Sequence, residues 1–418
     1  MLIEFSVGNY RSFKDTVTFS MVAAKITAKD KSLDENNVFR IDDNLSLLKS
    51  AAIYGANASG KSNFISALSF MVKFTRNSSK DTQADELIDV ERFSLSTEKV
   101  NKPSFFELVF LLEGKKYRYG FEVTPKKVIA EWLFHTPTTK EAKLFTRDES
   151  GISFSTAFKE GKGIVERTRD NALFLSVVAQ FNGGIAKKIL GWIALLGIVS
   201  NLIDRGDRSY TLEHFEGNEA KLAIIKFIKK LDLNIDDIQL ETVTTSVPPT
   251  LKEIAKRIYI KTWHKQYDSN DRHISTIIFD LDKNESEGTK KLFLLAGILI
   301  DVLTLGGIPL VIDELDARLH PLITRAIIQL FNSNESNTHN AQLIFTTHDI
   351  NLLSNTIFRR DQIWFAEKNK LGATDLYSLA EFKVRNDASY EKDYIQGKYG
   401  AIPFIGDIQH LIGKANGK

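Results

Sequence analysis

The sequence predicts an α/β fold, and three observations predict it. An apolar strand over residues 47–54 runs into a glycine-containing loop and then into a segment with helical spacing. A second series of strands and helices alternates between residues 274 and 378. Between the two series lies a stretch, residues 166–260, in which helical periodicity dominates, so that an α/β core is interrupted by a helical insertion.

Taken in order, residues 2–7 alternate as a strand, 15–23 read as another, and the polar residues 24–46 read as loop. From Ser62 to Phe74, apolar Phe64, Ile65, Leu68, Met71 and Val72 recur at helical spacing. Residues 76–90 are polar and read as a mobile connection. Three strand-like runs within 104–135 form a meander, with turn signals at Glu113-Gly114 and Thr124-Pro125. A strand is predicted at 274–281, a helix at 287–305, a short buried strand at 308–312 and a helix at 320–331. A buried strand follows at 342–346, then closing strands at 362–366 and 374–378. The chain therefore divides into an N-terminal part of the core (1–165), a mainly helical insertion (166–270) and a C-terminal part of the core (271–418).

With 43% hydrophobic residues among 418, the chain has ample material for a large core. It contains no cysteine, which excludes disulfides and thiolate metal sites and fits a reducing cytoplasm. A formal net charge of +2 makes the chain as a whole no obvious polyanion binder. The start, MLIEFSVGNYRSF, has no basic leader followed by an apolar run. Residues 189–203 are apolar but too short for a comfortable membrane span, and 292–312 contain Asp301 and Gly306-Gly307. The reading is a soluble, cytoplasmic protein with no membrane partner. The 189–203 segment is either a core helix of the insertion or an oligomer or partner interface.

Residues 55–62 read Gly55-Ala56-Asn57-Ala58-Ser59-Gly60-Lys61-Ser62, matching G-x-x-x-x-G-K-[ST]. Glycines let successive backbone N–H groups turn toward a phosphate, and the helix that follows points its N-terminus at the same anion. Lys61 has the reach for the β- and γ-phosphates of ATP, and Ser62 is a candidate Mg²⁺ ligand. These eight residues and the adjoining Asn63 are the candidate nucleotide contacts. A chance match in a Gly/Ser loop is the alternative, but the apolar strand before and amphipathic helix after are both present.

A second strand, Ile308-Pro309-Leu310-Val311-Ile312, delivers Asp313 and Glu314 at its C-terminal tip, where open α/β sheets bind ligands. Asp313 is the candidate to hold Mg²⁺ and Glu314 to orient or deprotonate the attacking water. Next, Phe345-Thr346-Thr347-His348-Asp349 ends the strand at 342–346, placing His348 as a γ-phosphate contact.

This set of residues, in this order, resembles the ABC-type ATPases of the SMC/Rad50/RecF kind, and more closely the prokaryotic AAA15 ATPases, the group that includes RloA-like and abortive-infection proteins. Residues 9–13 (NYRSF) look like their N-terminal strand motif. Glu314-Leu-Asp316-Ala-Arg-Leu-His320-Pro321 resembles their acidic strand and D-loop, and Asn284-Glu-Ser286-Glu-Gly288-Thr289 their signature. Residues 394–403 resemble a C-terminal motif of unassigned role. The resemblance implies an ABC-type P-loop ATPase core with an antiparallel β subregion. It also implies that Ser286 and Gly288 meet the γ-phosphate of ATP held by a second subunit, with Asp316 at that interface, in a homodimer or higher homo-oligomer. The signature is not LSGGQ. Gln180 is a candidate Q-loop residue or an ordinary surface glutamine. Arg11 either approaches the nucleotide or forms a salt bridge, and His320 starts or caps a helix.

By the same resemblance, the ATPase belongs to an antiviral, abortive-infection type defence system and controls a separate effector such as a nuclease. The alternative is a DNA-binding repair ATPase, for which Lys226, Lys229, Lys230, Lys252, Lys256 and Arg257 are the candidate basic groove, or else a solvated helix face.

Overall fold

The chain opens on a strand buried at every residue but Glu4, as a strand paired on both sides within a packed sheet requires. In the computed structural model, β1 (Leu2–Gly8) buries Leu2, Phe5 and Val7, and β2 (Val17–Ser20) returns beside it with Phe19 opposite Phe5. The structure describes residues 1–81, 83–200, 210–213, 215, 217–231, 234–245, 255–385 and 388–403. It divides into two units by its contacts. The first holds residues 1–200, 307–315 and 328 onward; the second holds 201–306 and 316–327.

In the first unit, the expected loop at 24–46 contains two short elements. They are α1 (Lys31–Asn36), whose cap Asp30 accepts the Ser32 N–H, and β3 (Val38–Arg40), which pairs with β4 (Ser46–Leu48). The next strand, β5 (Ser50–Tyr54), is buried at every residue and leads through the glycine loop into α2 (Lys61–Asn77). Residues 76–90 also depart from expectation. Ile88 and Val90 are buried, the Ile88 N–H donates to Pro125 O, and Asn171 Nδ2 donates to the carbonyls of Gln83 and Glu86. A polar sequence is seated there because other side chains and backbone groups satisfy its own backbone.

The meander is longer than its first three strands. It runs through β6 (Ser104–Leu112), β7 (Lys115–Val123), β8 (Val128–Thr136), β9 (Ala142–Asp148) and β10 (Gly151–Phe154). With β1 and β2 it forms a seven-stranded antiparallel sheet, ordered β10-β9-β8-β7-β6-β1-β2. The β6–β7 turn places Glu113 at φ +51° and Gly114 at φ +73°, the pair of left-handed residues that matches the twist of a tight hairpin.

The stretch expected to be helical is mixed. Two helices, α3 (Phe174–Gln180) and α4 (Gly184–Ala194), pack within the first unit, where Trp192 stacks on Phe110 at 4.2 Å. The apolar segment 189–203 is not one helix. Its helix stops at Ala194, and β11 (Gly197–Val199) runs parallel to a later strand of the core; residues 201–203 lie outside the described residues.

In the second unit, α5 (Asn218–Lys230) is helical as expected, but β12 (Asp237–Thr245) and β13 (Ala255–Tyr267) are strands. The signal for β13 was present in the sequence: Ile258, Ile260 and Thr262 alternate with Tyr259, Lys261 and Trp263. With β14 (His273–Asp280) they form an antiparallel sheet, ordered β12-β13-β14. Ile238 and Ile260 share a core with Ile224, Ile225 and Ile228 of α5 and with Phe293 and Leu294 of a later helix. After α6 (Leu281–Asn284), that helix is α7 (Glu287–Leu305), with the bounds the sequence predicted.

The core then closes with β15 (Pro309–Ile312), α8 (Pro321–Phe331), β16 (Gln342–Thr346), β17 (Ile363–Lys368), β18 (Thr374–Ser378) and α9 (Tyr390–Ile395). The six-stranded sheet has the order β11-β15-β16-β5-β17-β18, parallel throughout except for β18. The C-terminal ends of β15, β16 and β5 therefore lie side by side. Among the described residues, no helix is long and apolar enough to cross a membrane.

Candidate functional site

The loop from β5 to α2 is shaped by close packing. Gly55 sits at φ +153° and Gly60 at φ +111°, and a Cβ would lie 2.3 Å from Ala366 O at the first and 2.2 Å from Thr374 Oγ1 at the second. Both glycines are thus required by the approach to β17 and β18, in addition to any turning of N–H groups toward a ligand. Lys61 is buried, and its Nζ donates to Gly55 O (2.7 Å) and Ala56 O (3.0 Å), curling over the loop's own carbonyls. Ser62 follows, exposed in the first turn of α2.

Two supports of the loop come from distant sequence. Ser12, in the NYRSF motif, accepts the Asn63 Nδ2–H at 2.8 Å. Thr374 Oγ1 lies 2.8 Å from Ser12 Oγ and 2.7 Å from Ser59 O. The C-terminal motif holds the other end: Ala401 O accepts the Ala56 N–H at 3.0 Å and the Tyr394 hydroxyl at 2.9 Å. Tyr394 in turn packs against Tyr54 and Phe365. Residues 394–403, without an assigned role in the sequence, are a buttress of the glycine loop.

Asp313 and Glu314 follow β15. Thr346, at the end of β16, fixes both: its hydroxyl donates to Asp313 Oδ1 at 2.5 Å and accepts the Glu314 N–H at 2.7 Å. Glu314 adopts φ +50°, a left-handed turn that an ordinary residue takes at some cost. Adjacent strands are about 4.8 Å apart, so Asp313 stands two strand spacings, about 10 Å, from the loop after β5. A cavity of about 440 Å³ is lined by Asn57 to Asn63, Glu314, His348 and Lys368. A neighbouring cavity of about 650 Å³ shares Asn57, Ala58, Ser59, His348 and Lys368 and is walled by Tyr394 and Ala401 to Pro403. Thr346, Lys368, Ser12, Thr374 and Ala401 were not singled out individually in the sequence; Ser12 and Ala401 lay within the motifs at 9–13 and 394–403, Thr346 stood between an apolar strand and a histidine, and Lys368 and Thr374 carried no signal.

Ser286, Gly288 and Asp316 belong to the second unit and are described by themselves. Ser286 caps α7, its Oγ accepting the Thr289 N–H at 3.1 Å. Gly288 is packed so tightly that a Cβ would lie 2.6 Å from Arg318 O, and Lys291 Nζ donates to Ala317 O at 2.9 Å. The first turn of α7 and the 316–318 turn are thus brought together. Glu285, just before the cap, is anchored to β13 by the Thr262 hydroxyl (2.6 Å) and His264 Nε2 (2.7 Å).

The other candidates fall elsewhere. Gln180 ends α3, exposed, and lines neither cavity. Arg11 is engaged by Glu91 (2.5 Å) and Ser66 Oγ (2.8 Å), the salt-bridge alternative. His320 caps α8, its Nδ1 accepting the Leu322 N–H at 3.2 Å. Lys226, Lys229 and Lys230 are exposed on α5; Lys252 and the side chains of Lys256 and Arg257 lie outside the described residues.

The residues present fit ATP with Mg²⁺. The loop carries a buried lysine directed at its own carbonyls and a buried Ser59 Oγ with no hydrogen-bond partner among the described residues. The Ser62 hydroxyl and the Glu314 carboxylate line the cavity with it, and Asp313 stands about 10 Å off at the tip of β15. Among the described residues, no group of three or more His, Cys, Asp or Glu side chains forms a self-sufficient metal cage. So sparse an oxygen donor set suits a hard cation that takes its remaining ligands from phosphates and water.

The family described as AAA domain, putative AbiEii toxin, Type IV TA system matches residues 50–354, a span that includes the loop, the acidic pair and His348. No curated protein matches the chain at a significant level. Among solved structures, the chain is similar to the SMC head domain from Thermotoga maritima, at 15% identity, covering 90% of this chain and 98% of that one, with a TM-score of 0.39. It is also similar to an SmcHead bound to the C-winged helix domain of ScpA (14% identity, 94% and 99% covered, TM-score 0.40). A third is an Smc head domain with a coiled coil and joint derived from Pyrococcus yayanosii (10%, 95% and 99%, 0.42).

Proposed function

The chain belongs to the AAA-domain family that matches it, a family of P-loop ATPases, and on that premise we propose that it is a Mg²⁺-dependent ATPase acting as a two-subunit switch. One observation carries the reading: residues 57–63, Glu314 and His348, from three strand ends of one sheet, line a single cavity.

In this proposal Lys61 leaves the carbonyls of Gly55 and Ala56 and transfers its ammonium to the β- and γ-phosphates, while backbone N–H groups of residues 59–62 cradle them. Ser62 and Asp313 would hold Mg²⁺, which when bound supplies Lewis-acid withdrawal of charge from the phosphoryl oxygens. Glu314 orients the attacking water and takes its proton, with its backbone fixed by Thr346. His348 donates to the γ-phosphate. Ser286 and Gly288, at the start of α7, would offer a helix N-terminus to the nucleotide of a second copy, with Asp316 beside it. ATP then favours the closed pair and hydrolysis releases it, since only differential contacts shift such an equilibrium.

We place the chain nearest the AAA15, RloA-like ATPases, as the ATPase of an abortive-infection type defence system controlling a separate effector such as a nuclease. The motif order at 284–289, 313–321 and 394–403 and the family's printed description support this. The exposed Lys226, Lys229 and Lys230 favour the second reading, a DNA-binding repair ATPase. Negligible affinity for DNA at low salt would remove it.

Paired substitutions test the central reading. Lys61→Ala should weaken ATP binding beyond about 100-fold. Glu314→Gln should retain binding, lose about 100-fold or more of turnover and accumulate an ATP-bound dimer. Wild-type turnover by Glu314→Gln would remove Glu314 from its role.

A further inference from the structure

Two cavities overlap at the glycine loop, and the overlap contains a cation that the ATPase reading has not used. Lys368, the last residue of β17, lines the cavity of about 440 Å³ together with Glu314 and His348. It also lines the neighbouring cavity of about 650 Å³. The smaller cavity takes in Asn57 to Asn63, whereas the larger takes in Tyr54 to Ser59 and His348 but none of residues 60–63. Lys368 therefore stands by the early part of the loop, with His348, and away from the Asn63 end. In the proposed site Glu314 and His348 mark the γ-phosphate, so this is the γ end.

The backbone beneath Lys368 is fixed against the loop at two points. Lys368 faces Thr374 in the β17–β18 ladder, and Thr374 Oγ1 donates to Ser59 O at 2.7 Å. Two residues earlier, Ala366 O lies so near Gly55 that a Cβ there would be 2.3 Å away. The side chain above this footing is uncommitted. Glu367 accepts the Tyr377 hydroxyl at 2.9 Å, while Lys368 is exposed and joins no ion pair or hydrogen bond among the described residues. Lys61, by contrast, is tied to the carbonyls of Gly55 and Ala56. A solvated ammonium on a flexible stem can turn onto a phosphate without first breaking a contact.

Resting on the ATPase reading, we propose that Lys368 is a second lysine of the nucleotide site, closing on the γ-phosphate from within the same chain and making a single subunit prefer ATP to ADP. Lys61 reaches the β-phosphate as well as the γ-phosphate and so serves both nucleotides. Lys368 reaches oxygens that only ATP has, and only a contact made with one ligand and missing with the other discriminates between them. A subunit that selects ATP by itself is loaded before two copies meet.

Titration calorimetry of the full chain with Mg²⁺, using ADP and the β,γ-imido analogue of ATP, tests this. Lys368→Ala should weaken the analogue about tenfold and ADP less than about twofold. Lys368→Arg, which keeps the cation, should recover most of the loss. Lys61→Ala should weaken both nucleotides. The selective loss should be the same at protein concentrations tenfold apart. A loss shared equally by the two nucleotides overturns the proposal, as does no loss. Selectivity that appears only on concentrating the protein also overturns it, because the contact would then belong to a second copy. Thermal unfolding without ligand should coincide for wild type and Lys368→Ala, since the side chain is exposed. A wild-type chain that binds neither nucleotide overturns the ATPase reading and this inference with it, whereas binding of both without a selective loss at Lys368 overturns the inference alone.

Discussion

β5, β15 and β16 are buried at every residue, whereas six of the eight residues of β14 are exposed. β14 (HISTIIFD) is the more polar, yet each of these strands offers isoleucine for burial, and the surroundings decide which isoleucines are buried. The parallel strands are covered on both faces and flanked by other strands, which fixes their C-terminal ends and everything hung from them: the glycine loop, Asp313, Glu314 and His348. Among the described residues β14 is paired along one edge and exposed at six of its eight residues, a geometry poorly suited to holding a catalytic group. Rigid burial positions chemistry.

The sharpest way to break this comparison is to truncate one isoleucine in each sheet. Ile344, 1% exposed in β16, should cost about 2–5 kcal/mol when changed to alanine. Ile278→Ala should stay within about 0.5 kcal/mol in the monomer, measured by denaturant unfolding at low protein concentration. Equal costs would dissolve the distinction. Gly60→Ala comes next. Its φ of +111° and the 2.2 Å approach to Thr374 predict a loss of about 1–3 kcal/mol and weakened nucleotide binding, read by thermal unfolding and titration calorimetry.

A smaller effect should isolate the hydroxyl between the acidic strand and its neighbour. Thr346→Val removes the donor to Asp313 and the acceptor of the Glu314 N–H, and turnover should fall about 10–100-fold. ATP affinity should change far less, which steady-state kinetics and binding measured on one preparation would show.

The smallest concerns Lys49, wholly buried where β4 meets β5, with its Nζ donating to Asn334 Oδ1 at 2.6 Å. Burial lowers its ammonium to about 8. Between pH 8 and its ordinary value, the unfolded chain binds this proton and the folded chain does not, so the contribution of Lys49 to stability rises with pH over that window. Lys49→Met should remove this rise, on the order of 1–2 kcal/mol, from the pH dependence of the unfolding free energy.

Long periodic segments were legible without the fold. The bounds of α7 and β16 are those the sequence predicted, because each carries a complete apolar pattern within itself. β14 was expected as a strand, but β12 and β13 were missed for the opposite reason. The alternation in β12 and β13 is diluted by Lys, Glu and Gln on exposed positions, and surrounding helices set the wrong period. The core helix expected at 189–203 stops short because β11 needs a neighbouring strand to exist at all, and its partners lie 113 positions on, Gly197 facing Leu310.

By itself the sequence determined the glycine loop, the acidic strand tip, the histidine after the next strand and the cap of α7. Each is a local pattern whose chemistry is written in adjacent residues. Only the tertiary structure decided that Thr346 holds Asp313 and Glu314 together and that Ser12, Thr374 and Ala401 brace the loop from opposite ends of the chain. It alone decided, too, that β14 ends its sheet among the described residues. Hydrogen bonds between residues tens to hundreds of positions apart, and the presence or absence of a neighbouring strand, follow from how elements pack, which no local pattern contains.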